Sequence, residues 1–384
     1  MPQASVTAAA RAASALHIAV AGFVALGVAI GIGRFIYTPI LPPMMAALGL
    51  SRFAAGLIAS ANFAGYLTGA LLATGPRLTT RRWILGGLIA SAATTGAMGL
   101  GHSVLPFMIL RMTGGLASAI VLVLTCASVL ERLAESDRAE LGTVMFAGVG
   151  AGIAGSASLA AALRATGFGW PALWAASGAL SALGVLVCWL LLPGGKPHFP
   201  SMKASAPRLD RRFARITIAY GLFGFGYIIT ATFLVAIVRS NADAHPIEPV
   251  VWVVFGLSAV PSVGLWCAIG RRLSTAGAFA LAALTEALGV MGTVIWHGVA
   301  GVLVATLLVG GTFMGLTALG LTRGRELAAR NPQRGLALMT SAFGLGQIVG
   351  PSFAGALSDR LGSFTLASVI ATAALIVAAG LAAI

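Results

Sequence analysis

Two arginines stand where charge is expensive. Arg34 lies in an apolar stretch that is otherwise uncharged from His17 to Arg52, and Arg111 lies in a second apolar run. A guanidinium at such depth faces a bundle interior or a wet cavity and defaults to a functional role. Its planar fork of donors suits a carboxylate or phosphate, so the chemistry on offer is capture of a small organic anion. Polar and small residues accompany both cations at helical spacing. Gly27, Gly31, Arg34 and Thr38 share one helix face, Arg111, Gly114, Gly115 and Ser118 another, and Asn62, Tyr66 and Gly69 a third. With Tyr37 beside Arg34, and Tyr227 in a later stripe with Tyr220 and Gly224, the candidate binding set is Arg34, Tyr37, Asn62, Tyr66, Arg111 and Tyr227. Each has a plainer alternative. Arg34 can snorkel to the interface or bond carbonyls freed around Pro39, Pro42 and Pro43; the tyrosines can be packing aromatics, and Asn62 can bond another helix.

Glu286 is the one carboxylate near the centre of an apolar run, which suggests a proton carrier. Its surroundings are smoothly apolar, so a neutral, hydrogen-bonded or interface-seeking glutamic acid is the competing reading. The remaining acids, Asp243, Glu248 and Asp359 among them, fall in loops or at run ends, where charges are usually solvated. His17, His102, His198, His245 and His297 lie at no metal-ligand spacing with acids or cysteines, and Cys126, Cys188 and Cys267 all sit inside apolar runs as packing residues. No nucleophile has a partnering base. The expectation is a protein with no metal, no cofactor and no catalysis.

The elements that carry these residues must be membrane spans. Of 384 residues, 58% are hydrophobic and only 9% charged, against about 25% charged in ordinary soluble domains. The 50 glycines would let helices approach closely in lipid. A net charge of +14 raises nucleic acid as a partner, but the basic residues are spread over short loops, with no arginine-rich helix face or stacking platform, so nucleic acid is excluded. Twelve runs are near the length needed to cross a bilayer: about 17–46, 53–74, 83–101, 104–130, 141–163, 169–192, 213–238, 249–269, 274–296, 299–322, 336–357 and 363–384. The run after Arg11 is too long for a signal-peptide core and reads as a retained first helix.

Loop charge orients them. With both termini inside, 18 of the 24 Lys and Arg fall on one side, among them Arg81, Arg82, Arg271 and Arg272, which are candidates for a cytoplasmic gate and topology signal. Only Arg52, Arg164, Arg239 and Arg360 fall on the other. A Pro- and Gly-rich basic linker at 193–212 separates an N-terminal six-helix bundle, 1–192, from a C-terminal one, 213–384. The halves also align: Gly31 to Thr38 with Gly224 to Ala231 at a displacement of 193, and Gly155 and Gly167 with Gly350 and Gly362 at 195. Equal orientation of such halves predicts parallel six-helix repeats with a site near the midplane between them.

On these residues the chain resembles the major facilitator superfamily. Arg111-Met-Thr-Gly114-Gly115 is similar to its helix 4 motif, which the resemblance associates with proton coupling. The stretch from Gly31 to Met44, the segment Ser60 to Gly69, and Gly346-Gln347-Ile-Val-Gly350-Pro351 through Asp359-Arg360-Leu-Gly362 resemble the YbfB/YjiJ group more narrowly. The chain departs from the superfamily pattern in two places. No aspartate joins Gly75-Pro76-Arg77 and Arg81-Arg82 after the second span, and Gly155-Ser156 stands where antiporters carry Gly-Pro. The resemblance therefore implies transport without favouring efflux over uptake.

The reading is an all-α polytopic membrane protein of twelve spans. It would be a monomer in the plasma (inner) membrane with both termini cytoplasmic, a secondary active transporter of a small, anionic organic solute by alternating access, with proton symport as a further possibility. An efflux carrier for amphipathic compounds and a non-transporting receptor or scaffold are the alternatives.

Overall fold

A chain that crosses lipid must satisfy every backbone N–H and C=O within itself, which leaves helices as the natural solution for runs of this length. The computed structural model describes residues 2–73, 80–192, 210–328 and 332–384 and, among them, contains fourteen α-helices and no strand. In the N-terminal half these are α1 (Pro2–Leu26), α2 (Tyr37–Leu48), α3 (Arg52–Leu72), α4 (Thr80–Ala97), α5 (Val104–Glu135), α6 (Gly142–Ala165) and α7 (Trp170–Leu191). The C-terminal half holds α8 (Arg211–Ser240), α9 (Glu248–Ala259), α10 (Ser262–Leu273), α11 (Thr275–Ile295), α12 (Gly298–Leu327), α13 (Pro332–Leu361) and α14 (Thr365–Ala383). Most of the expected linker, 193–209, lies outside the described residues, and α8 begins at Arg211.

Twelve spans result, two of them not single helices. The eighth is α9 and α10, bent by 43° about Val260-Pro261, because Pro261 has no N–H to continue the ladder. The first breaks more deeply. After α1 comes a π-helical turn over Gly27–Ile32, then a turn through residues 33–36, and only then α2. Gly27, Gly31, Gly148 and Gly152 let this segment lie directly on the α6 backbone, where added Cβ atoms would collide with carbonyls. Pro39, at the start of α2, cannot donate to the Phe35 carbonyl. The apolar run is thus interrupted at Arg34, in place of the continuous helix expected over 17–46.

The halves meet along α2, α3, α6, α8, α9 and α13. Ser60 Oγ donates to the Ile348 carbonyl at 2.6 Å and Thr38 Oγ1 to the Ala231 carbonyl at 2.7 Å. Gly56 backs onto Pro351, and Gly150 onto Gly256. Thr38 and Ala231 are the very residues that the 193-residue displacement pairs. α6 and α13 also end alike, each on a glycine in the left-handed region, Gly167 (φ 87°) and Gly362 (φ 72°), where a side chain would be strained. Large apolar residues such as Ile89, Leu105, Leu190 and Leu288 point outward, as lipid contact requires.

Candidate functional site

The broken first span creates a supply of backbone acceptors. The Thr38 amide turns back to the Phe35 carbonyl at 3.3 Å, and the carbonyls of Gly33 and Arg34 are taken by one side chain from α5. Arg111 Nη1 donates to Gly33 O and Nη2 to Arg34 O, both at 2.8 Å. Its guanidinium lies 5.0 Å over the Tyr37 ring, and Tyr37 in turn donates its hydroxyl to the Ala55 carbonyl at 2.9 Å. Asn62 Nδ2 completes the clamp by donating to the Arg111 carbonyl at 2.8 Å. Gly65, Gly69 and Gly115 make this possible, since each lets α3 and α5 touch backbone to backbone. Two of the three nitrogens of Arg111 are therefore spent on the protein, which makes it a positioning residue for the turn that carries Arg34.

Arg34 is held differently. It is 5% exposed, and its Nε and Nη2 have no hydrogen-bond partner. Aromatic faces surround it: the guanidinium carbon is 4.5 Å from the Phe63 ring centre, 4.7 Å from Tyr66 and 5.4 Å from Phe35. Cation–π attraction of this kind contributes about 2 kcal/mol at a desolvated site without using the N–H donors. Bonding the freed carbonyls, the plainer alternative for Arg34, falls instead to Arg111 and to Trp252, whose Nε1 donates to Phe35 O at 3.1 Å.

Phe35 carries the site across the seam. Its ring meets Trp252 at 6.3 Å and Phe313 at 5.7 Å, both in the C-terminal half. From there the rings continue: Trp252 on Phe255 at 4.3 Å, Phe255 on Phe313 at 5.3 Å, Phe313 on Tyr227 at 5.9 Å, and Tyr227 on Phe343 at 5.8 Å with planes 7° apart. The Tyr227 hydroxyl accepts a hydrogen bond from Gln347 Nε2. Arg34 is within electrostatic reach of Tyr227 and Tyr220. The six expected binding residues thus fall into one region. Arg34 has a free edge and Tyr66 lies against its guanidinium, whereas Tyr37, Asn62 and Arg111 hold the frame. Tyr227 is part of the facing wall.

Phe35, Phe63, Trp252, Phe313, Phe343 and Gln347 were not singled out from sequence. Gln347 had a signal, as the polar residue of Gly346-Gln347-Ile-Val-Gly350-Pro351, and the aromatics had none beyond being large and apolar. Glu286 does not join the contacts of Arg34. It is fully buried in α11 with neither carboxyl oxygen bonded, which corrects both the hydrogen-bonded and the interface-seeking readings. Ala282, Ala283 and Val290 on the same face are also buried, so this face turns into the C-terminal bundle.

The two ends of the molecule differ. At the arginine-poor end, Asp359 accepts from the amides of Arg52 and Phe53 at 2.9 and 2.8 Å, and Arg52 Nη1 donates to Ser358 O at 2.7 Å. Arg164 pairs with Glu248 at 2.8 Å, and Arg239 approaches the same carboxylate at 3.4 Å. Glu248 is buried, not the solvated loop charge its position suggested. The contacts of Arg52 and Phe53 with Asp359 and Ser358, and of Arg164 with Glu248, join the halves. At the arginine-rich end, Arg81 caps the carbonyl end of α7, with Nε on Leu192 O at 2.9 Å and Nη2 on Trp189 O at 2.5 Å, while Arg82, Arg271 and Arg272 are exposed.

Comparison with known proteins agrees with this architecture. A family model described as uncharacterised MFS-type transporter YbfB matches residues 26–383. A crystal structure of the nucleoside transporter NupG, in a point-mutant form, superposes with a TM-score of 0.72 at 15% identity, over 96% of this chain and 98% of that one. A bacterial homologue of the human lysosomal transporter Spinster, crystallised inward-facing and unoccupied, gives a TM-score of 0.66 at 14% identity, over 97% of this chain and 96% of the other. Both likenesses speak to fold alone. A sequence search of curated proteins gives no match.

Proposed function

We propose, from the premise that this chain belongs to the YbfB family of MFS-type transporters, that it carries a small organic anion across the inner (plasma) membrane by alternating access. The observation that carries this reading is Arg34, a buried guanidinium with Nε and Nη2 unpartnered. A buried donor pair left unmade is costly, and a bound carboxylate or phosphate ester would satisfy it. The arginine-rich end is assigned to the cytoplasm by the excess of basic loops, with both termini there. In that orientation the contacts of Asp359 and Glu248 latch the outer end, and rocking of the halves would release them while closing the inner end. The carrier would work as a monomer with no nucleic-acid partner.

Proton coupling fits Glu286 better than Arg111. A fully buried, unbonded carboxyl can exist neutral and charge when its surroundings open, whereas the Arg111 fork is committed to two carbonyls. The test is solute uptake into proteoliposomes from a panel of organic anions. Arg34-dependent uptake is expected, and it should respond to an imposed pH gradient in the wild type but not in Glu286→Gln. Uptake without proton movement in the wild type would remove the coupling. Binding without any flux would favour a receptor.

A further inference from the structure

Resting on the reading of Arg34 as the anion anchor, we infer that the ligand of this site is a planar aromatic monocarboxylate. Its carboxylate would take the Nε–Nη2 edge of Arg34, and its ring would enter the aromatic wall shared by the two halves.

Three observations lead there. The two unpartnered nitrogens are not an arbitrary pair: in the rigid guanidinium, Nε–H and one Nη2–H point the same way from a single edge. Such an edge matches the two oxygens of one carboxylate in parallel hydrogen bonds, a geometry that adds specificity as well as energy. Only one such edge is free. Arg111 has both Nη atoms on carbonyls and keeps a single Nε, so the site offers a second carboxylate no matching fork.

The surroundings of the charge give the second observation. The guanidinium is in contact with Phe35, Phe63 and Tyr66, none of them acidic. An α-amino acid would bring its ammonium close to this cation without a counter-charge. A sugar acid would bring several hydroxyls against the three aromatic faces that cover this cation, where a buried hydroxyl without a partner is costly.

The third observation concerns the seam. Phe35–Trp252 and Phe35–Phe313 are aromatic contacts between the halves, and any rocking that opens the site must part them. That motion uncovers ring faces directly beside the anion anchor. An aromatic ligand replaces the lost ring contacts in kind, at centroid spacings of the same range, and ring pairing contributes about 0.5–1.5 kcal/mol beyond area burial.

The test uses the full-length protein in lipid nanodiscs and titration calorimetry with benzoate, cyclohexanecarboxylate, benzamide, terephthalate and lactate. Benzoate should bind about two- to twelvefold more tightly than cyclohexanecarboxylate, as the ring-pairing energy implies, with benzamide and lactate weaker still and terephthalate no tighter than benzoate. Phe313→Leu should shrink the ratio of benzoate to cyclohexanecarboxylate affinity. If cyclohexanecarboxylate or lactate binds as tightly as benzoate and Arg34→Gln abolishes it, the aromatic class is wrong and the anion anchor stands. Tighter terephthalate overturns the single-fork assignment. If no anion binds in an Arg34-dependent way, the functional reading itself falls. The comparison among ligands is made on the wild type, so it does not depend on any variant folding.

Discussion

The same eight-residue pattern occurs once in each half and does opposite things. In the first span, Gly31 to Thr38 is a break that carries a buried cation, while its counterpart, Gly224 to Ala231, runs through the middle of the unbroken α8. Glycines stand at equivalent positions in both, so glycine alone does not break the helix. Proline does: Pro39 is matched by Thr232, which keeps its N–H. Without that proline, α8 frees no carbonyls, needs no arginine clamp, and presents Tyr227, stacked between Phe313 and Phe343, where its partner presents Arg34. One scaffold has become a charged half and an aromatic half, and the ligand site is where they face each other.

That division is broken most severely by removing its charge. Arg34→Gln should weaken anion binding by about a hundredfold or more, as truncation of one partner in a buried charged pair does, while the protein stays folded, because no backbone group depends on Arg34. Unchanged affinity by calorimetry would end its role as anchor. Arg34→Lys should fall between, keeping charge and losing the fork.

Arg111 should behave in reverse. Arg111→Lys keeps the charge but can hold only one of the two carbonyls well, leaving a buried acceptor unsatisfied at about 1–3 kcal/mol. Thermal stability should drop first, and affinity only as the turn carrying Arg34 loosens. A variant with wild-type melting temperature and lost affinity would make Arg111 a direct ligand. The contrast between the two arginines is thus measurable as a split between stability and binding.

Much of this division was legible in the sequence, and its boundary has a physical cause. Depth along the membrane follows from counting residues, so the spans, the charge asymmetry of the loops and the burial of Arg34 and Arg111 within apolar runs could all be read. Rotation of a helix about its own axis, and what it touches, cannot be counted in this way. Hydropathy could not tell which arginine spends its donors on carbonyls, that Glu286 turns inward, or that Phe63 and Tyr66 cover Arg34. Pro39 signalled the break in the first span, but the uninterrupted apolar run outweighed it. Glu248 and Asp359 looked like solvated loop charges because their partners lie 84 and about 307 residues away in the chain.

A smaller effect tests whether the latched end matters to the two-half motion. Asp359 accepts two amides at the start of α3 from the opposite half, and an anion at a helix N-terminus contributes about 0.3–1 kcal/mol. Asp359→Asn should therefore shift the balance toward an open arginine-poor end by about two- to fivefold. Spin-label distances across that end would measure the shift. No change would mean that Arg164–Glu248 suffices to hold it.

An effect of similar size concerns the contact where both halves share one acceptor. Pro39 leaves the Phe35 carbonyl without its helical N–H, and Trp252 supplies an indole N–H from the other half. Trp252→Phe preserves ring packing on Phe35 and Phe255 but removes this donor, at a cost of about 1 kcal/mol. Because the bond can exist only while the halves are together here, its loss should favour separated states and raise exchange between conformations more than it lowers the melting temperature. If Pro39→Ala is added and lets the chain refill Phe35 O from its own amide, part of the loss should be recovered. Additive losses in that double variant would show that proline's role at the break is not to free this carbonyl, and the charged half would then owe its shape to the glycine contacts with α6 alone.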